Sequence, residues 1–168
     1  MAITESKLVL LSIDLAGYTR AVASLDALTV ARFLDTWYRQ CADTIRKYGG
    51  RVVKYMGDAC LAVFPPERTV DAVDTARELA DGVAPLAAKH QLPLRLGANL
   101  HLAVVAEGEF GPDDDRRYDV LGSGVNQLFL MGGGAGVRIT EPIYRQLPNE
   151  RRAAWQRHKP PATYVYSG

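Results

Sequence analysis

The sequence predicts an α+β fold on the ferredoxin-like split βαβ plan (βαββαβ), with additions at its C-terminal end. Three observations carry this expectation. A short bounded apolar run near the start reads as a buried strand. Two long stretches with apolar residues three or four apart read as amphipathic helices. Between them lie two short strands hinged on Met56, Gly57 and Asp58.

In chain order, Lys7 to Leu15 (KLVLLSIDL) is the first strand. From Asp26 to Tyr48 the apolar positions are Val30, Leu34, Trp37, Tyr38, Cys41, Ile45 and Tyr48, one face of a helix that Gly49 and Gly50 stop. Arg51 to Tyr55 and Ala59 to Phe64 form the hairpin, which Pro65 and Pro66 end. Val70, Val73, Ala76, Ala80, Val83 and Ala87 mark the second long helix. Leu94 to Ala106 returns to strand, Gly111 to Asp115 turns, and Tyr118 to Leu121 is a short strand. Val125 to Met131 reads as helix, ended by Gly132, Gly133 and Gly134. Val137 to Thr140 is a strand, Glu141 to Leu147 a short helix, and Thr163 to Tyr166 a last strand.

The composition bounds the function classes. The chain has 168 residues, 48% of them apolar, with 20 Lys and Arg against 19 Asp and Glu. That is enough for one real core, and residues 1–168 are expected to form a single domain. The net charge of +1 exerts no global pull toward nucleic acid or an anionic membrane. Two cysteines, Cys41 and Cys60, are too few for a disulfide framework and make no metal-type pair. No run reaches the roughly 20 apolar residues of a membrane span. The first residues lack the basic and apolar segments of a secretion signal. The expectation is a cytoplasmic domain without nucleic-acid or membrane partners.

Two aspartates fall at strand turns. Asp14 ends the first strand, ahead of Leu15, Ala16 and Gly17, and Asp58 lies at the hairpin turn. A split βαβ sheet makes these strands neighbours, so both carboxylates can converge on one edge. Such a pair offers the hard oxygen ligands of Mg²⁺ and leaves room for phosphate oxygens. Gly17 lets the backbone after Asp14 approach a ligand closely, and a helix following it would present free N–H groups to a phosphate. A plain reading stands beside this one: Asp58 as a turn residue and Asp14 as a helix cap.

Read together, four segments weigh on that choice. Leu11–Thr19 (LSIDLAGYT), Gly50–Asp58 (GRVVKYMGD), Leu100–Gly111 (LHLAVVAEGEFG) and Tyr118–Asn126 (YDVLGSGVN) resemble the class III adenylate/guanylate cyclase catalytic domain, in that family's order. The resemblance runs from about Lys7 to Tyr166. It implies a head-to-tail homodimer, or a heterodimer with another cyclase domain, with sites at the interface. It implies two divalent ions, Mg²⁺ or Mn²⁺, on Asp14, Asp58 and the Leu15 carbonyl of one subunit. It implies ATP as substrate, with Lys54 and Asp119 selecting the base and Asn126 orienting the ribose. Lys can donate to adenine N1 and ionised Asp can accept from the N6 amino group, whereas guanine presents the opposite pattern.

The sequence also departs from the family. Four residues after Asn126, where the family carries its transition-state Arg, stands Leu130, which has no donor. Losing such a group typically costs about 10²–10⁵ in rate. Arg116, Arg117, Arg138 or Lys159 are candidates to replace it, Lys159 loosely matching a triphosphate-binding position that Pro160 and Pro161 disturb. Leu128 to Met131 is an apolar block that cannot all face one core. Ala103 replaces a family Gly and adds a methyl near the cleft. Gly132 to Gly136 lacks the Lys and setting of a phosphate loop and reads as a flexible connector. The expected function is adenylate-cyclase-like, weakened by Leu130, or else a catalytically degenerate nucleotide-binding partner of another cyclase domain.

Overall fold

Thr4–Ala16 forms β1, a thirteen-residue strand whose odd and even positions serve two different cores. The structure is a computed structural model that describes residues 1–158 and 163–168. After β1 come α1 (Tyr18–Val22), α2 (Ala27–Lys47), β2 (Arg51–Met56), β3 (Ala59–Phe64), a single 3₁₀ turn (Pro66–Arg68) and α3 (Thr69–His90). Then follow β4 (Arg95–Phe110), β5 (Arg117–Leu121), α4 (Ser123–Leu130), β6 (Gly136–Thr140), α5 (Glu141–Gln146), α6 (Asn149–Arg152), β7 (Trp155–His158) and β8 (Thr163–Tyr166).

The strands form one sheet in the order β2-β3-β1-β4-β6-β8-β7, with β5 paired to the far half of β4. β1 lies antiparallel to both β3 (Val9 opposite Phe64) and β4 (Thr4 opposite Glu107 through Ala16 opposite Arg95). This is the expected split βαβ core, β2-β3-β1-β4, extended past β4 by the C-terminal strands. β6 joins β4 in parallel.

Strand alternation sorts the side chains. Val9, Leu11, Ile13 and Leu15 enter the main core with Phe33, Trp37 and Ile45 of α2 and Val73, Ala76 and Leu79 of α3. Leu10 points the other way, into a smaller core with Leu61, Val63, Val105, Val120, Val125 and Leu128, roofed by α4. Asp14 has the even parity of Leu10 and stands on the α4 face. Asp26 caps α2, accepting from the Thr29 amide at 3.0 Å, as its place before the apolar periodicity implies. Cys41 and Cys60 are free thiols buried in the main core.

The structure adds what the sequence reading left out: α1, the 3₁₀ turn, α6 and β7. The first three bury no side chain, and β7 buries only Trp155, so none carries a periodic apolar signal. Among the described residues no helix is long and apolar enough to cross a membrane.

Candidate functional site

The structure brings Asp14 and Asp58 together. β1 delivers Asp14 at its end, and the tight turn between β2 and β3 delivers Asp58. Gly57 has φ +62°, the left-handed conformation such a turn requires. The Asp58 carboxylate accepts from the Leu15 amide at 2.8 Å, one residue beyond Asp14. Burial and, next, the Asp58 charge push the Asp14 carboxyl above its ordinary range, against the opposing pull of Arg138. Asp14 Oδ1 is buried without a hydrogen-bond partner. Gly97, opposite Asp14 on β4, makes room for it: a Cβ there would come within 2.3 Å of that same oxygen and 2.5 Å of the Gly134 carbonyl.

These features fit a divalent cation. Two like charges held close, one with an orphaned oxygen, are costly unless a cation neutralises them. Among the described residues no three Asp, Glu, His or Cys side chains form a metal cage. A cation here would therefore draw further ligands from backbone carbonyls and from the bound substrate, as Mg²⁺ commonly does with phosphates. Gly17, at φ +88°, turns the chain into α1, which is only five residues long.

Lys54 and Asp119 also meet, away from the aspartate pair. β2 and β5 touch, and Lys54 Nζ donates to Asp119 Oδ2 at 2.8 Å, while Asp119 Oδ1 accepts from the Val120 amide at 2.8 Å. Beside them the Arg51 guanidinium lies 3.4 Å from the centroid of the Tyr118 ring, whose hydroxyl donates to Glu107 at 2.7 Å. That cluster pins β5 to β2 and so fixes the Lys54–Asp119 pair.

Asn126 lies exposed on α4, one turn from Leu130. The apolar block splits as the helical turn requires: Leu128 is fully buried, Phe129 is 47% exposed and Leu130 83% exposed. α4 can sit close because Gly124 faces Ala103; a Cβ on Gly124 would approach the Ala103 methyl to 2.4 Å. The Ala103 methyl is thus spent on helix packing rather than left in a cleft.

Three of the four candidate replacement cations, Arg116, Arg117 and Arg138, are occupied. Arg116 binds its own hairpin through the Glu109 carbonyl at 2.6 Å, and Arg117 pairs with Asp115 at 2.9 Å. Arg138 reaches the carbonyls of Gly133 (2.8 Å), Gly134 (3.0 Å) and Ala135 (3.2 Å), and Asn99 donates to the Gly132 carbonyl at 2.8 Å. The glycine run read as a flexible connector is therefore a fastened loop. Its carbonyls face a guanidinium, which suits no phosphate. Lys159 lies outside the described residues.

Three contributors escaped the sequence reading: Gly97, and Trp37 and Tyr38 behind the Asp58 turn. An isolated Gly inside an apolar strand is a signal of close approach and would have flagged Gly97. Trp37 and Tyr38 matched the helical periodicity and carried no second signal.

No family profile matches the chain. It is 26% identical over 159 residues to an adenylate cyclase of Anabaena cylindrica, covering 87% of this chain and 32% of that protein. It is 29% identical over 124 residues to an uncharacterised protein of Mycobacterium tuberculosis, covering 73% of this chain and 22% of that protein. The chain thus spans a fifth to a third of these curated relatives. Among solved structures it superposes on the adenylyl cyclase CyaB from P. aeruginosa with a TM-score of 0.86 at 18% identity, covering 99% of this chain and 96% of that one. On the guanylyl cyclase Cya2 the TM-score is 0.85 at 20% identity, covering 100% and 95%.

Proposed function

We propose, for a chain with the α+β fold of the class III adenylyl and guanylyl cyclase catalytic domains, that it binds ATP and cyclises it to cyclic AMP and pyrophosphate. The observation that carries this reading is the convergence of Asp14 and Asp58, with a buried unpartnered oxygen and a glycine-made space beside it. Two divalent ions, Mg²⁺ or Mn²⁺, held by Asp14, Asp58 and the Leu15 carbonyl, would acidify the ribose 3′-hydroxyl and neutralise the triphosphate.

The chain's own residues do the rest by positioning. Lys54 donates to adenine N1 and Asp119 accepts from the N6 amino group, an orientation that the bond between them holds ready. Guanine would face a donor with a donor and an acceptor with an acceptor, leaving polar groups unpaired. Asn126 orients the ribose. The 3′-oxygen attacks the α-phosphorus, the bond to the bridging oxygen breaks, pyrophosphate leaves, and the hydroxyl proton passes to solvent. The base-selecting residues and the aspartates lie in separate clusters, which supports a site shared between two chains arranged head to tail.

A second reading is favoured by Leu130. It is exposed, carries no donor, and has no free cation beside it among Arg116, Arg117 and Arg138. In that reading the chain is a degenerate nucleotide-binding cyclase domain that lends Asp14 and Asp58 to a partner bearing the Arg.

The deciding experiment is cyclic-nucleotide production from Mn²⁺-ATP by the purified chain, by Leu130→Arg and by Asp14→Ala. Leu130→Arg should raise the rate by about 10² or more, and Asp14→Ala should abolish it. A natural chain that is silent until Leu130→Arg awakens it supports the degenerate reading. Silence of both, without nucleotide binding, removes the ATP site.

A further inference from the structure

The turn that carries Asp58 is held from behind by α2. Trp37 is wholly buried, yet its indole N–H leaves the core to donate to the Asp58 carbonyl at 2.9 Å. Tyr38, the next residue, donates its hydroxyl to the Gly57 carbonyl. The Tyr38 ring stacks on Tyr55 with centroids 4.1 Å apart and planes 18° apart, and the Tyr55 hydroxyl donates back to the Tyr38 carbonyl at 3.2 Å. Two consecutive turn carbonyls are thus tied to one helix. On its other side the turn is open: nothing lies within 4 Å of where a Gly57 Cβ would stand. The Asp58 carboxylate then reaches forward to the Leu15 amide at 2.8 Å.

A two-residue turn with an open face has no packing of its own to hold it. A cation pair of carboxylates tolerates displacements of only about 0.5 Å before affinity falls. We propose that Trp37 is a positioning residue for the cation half-site: its indole N–H, assisted by the Tyr38 hydroxyl, sets where Asp58 stands relative to Asp14. The inference rests on the reading of Asp14 and Asp58 as the cation pair. The indole needs a partner somewhere, because a buried N–H left unpaired is costly. What makes the choice informative is that the partner is the carbonyl of Asp58 itself.

The test uses the full chain and Mn²⁺ alone as probe, with free Mn²⁺ followed by electron paramagnetic resonance and no nucleotide present. Trp37→Phe keeps a ring in the core and deletes the N–H. It should weaken Mn²⁺ binding by roughly tenfold, the usual cost of removing an outer hydrogen-bond partner of a metal ligand. Trp155→Phe removes the other buried tryptophan, far along the sheet on β7, and should leave Mn²⁺ binding unchanged. Trp37→Phe binding within about twofold of the parent overturns the proposal, as does an equal loss in Trp155→Phe. Should Trp37→Phe fail to fold, Tyr38→Phe, which removes only a hydroxyl, must show a smaller loss in the same direction, and no loss overturns it. Asp58→Asn separates the two levels. If it binds Mn²⁺ as well as the parent, or the parent binds none, the cation reading itself fails and takes this inference with it. If Asp58→Asn loses binding while both ring variants keep it, only the positioning role is lost.

Discussion

At the scale of single residues, chemistry is decided by what each polar group already has. Lys54 and Asp119 satisfy each other, so in the proposed site discrimination between bases would come from geometry held in advance rather than assembled on binding. Lys54→Ala leaves half-buried Asp119 with one oxygen on the Val120 amide and the other without its cation. We expect Lys54→Ala to weaken ATP binding by about tenfold and to erase the preference of ATP over GTP. Competition between the two nucleotides against a fluorescent ATP analogue reads both effects. A chain that already prefers GTP would refute the assignment of Lys54 and Asp119. His101 shows the same principle without chemistry. Its ring bridges Thr140 at 3.0 Å and Gln127 at 2.9 Å, tying α4 and β6 to β4. Burial holds its pKa below the ordinary 6.5, against the opposing Gln127 bond. A folded pKa below the unfolded one means that stability is present above pH 6.5 and is lost as pH falls toward the folded value. The unfolding temperature should fall between neutral and mildly acidic pH, and His101→Gln should flatten that fall.

At the scale of elements, legibility followed buried area. α2 and α3 each present a long apolar stripe to the sheet and were readable from spacing, and Thr163–Tyr166 was read to the residue. α1 and α6 were invisible because they bury nothing: α1 turns the chain after Gly17, and α6 is a single turn of polar residues. Within the site, the two aspartates were legible because topology alone makes β1 and the hairpin neighbours. Gly97, Trp37 and the Arg138 fastening were not, since each depends on which atoms meet across the sheet rather than on spacing along the chain. The placement of α4 is an element-level constraint with a direct test. Gly124→Val would drive side-chain atoms into Ala103, already 2.4 Å from a Gly124 Cβ. Overpacking of this kind costs about 1–3 kcal/mol, and it should push α4, with Asn126 on it, off the sheet. Gly124→Val combined with Ala103→Gly should recover part of the loss in a thermal melt, because the methyl that obstructs is gone.

At the scale of the whole molecule, the candidate site residues fall into separate groups. Asp14 and Asp58 sit where β1 meets the β2–β3 turn; Lys54 and Asp119 sit where β2 meets β5; Asn126 and Leu130 stand exposed on α4. If one chain completed a site alone, both clusters would have to serve one nucleotide within that chain. If two chains share it head to tail, each site takes aspartates from one and the base and ribose residues from the other. The two arrangements differ in a mixing experiment. The natural chain has both aspartates but Leu130. A chain carrying Leu130→Arg together with Asp14→Asn has the Arg and no complete cation pair. Each homodimer is then defective at both sites. In a mixed dimer one site combines the natural aspartates with the introduced Arg. Cyclic AMP formation from Mn²⁺-ATP should therefore rise on mixing well above the sum of the separate chains, and should peak near equal amounts. If one chain holds the whole site, mixing adds nothing, because no single chain contains both halves. The same assay bears on the degenerate reading: a rise on mixing means that the natural aspartates are competent, and that the chain lacks only the group a partner can supply.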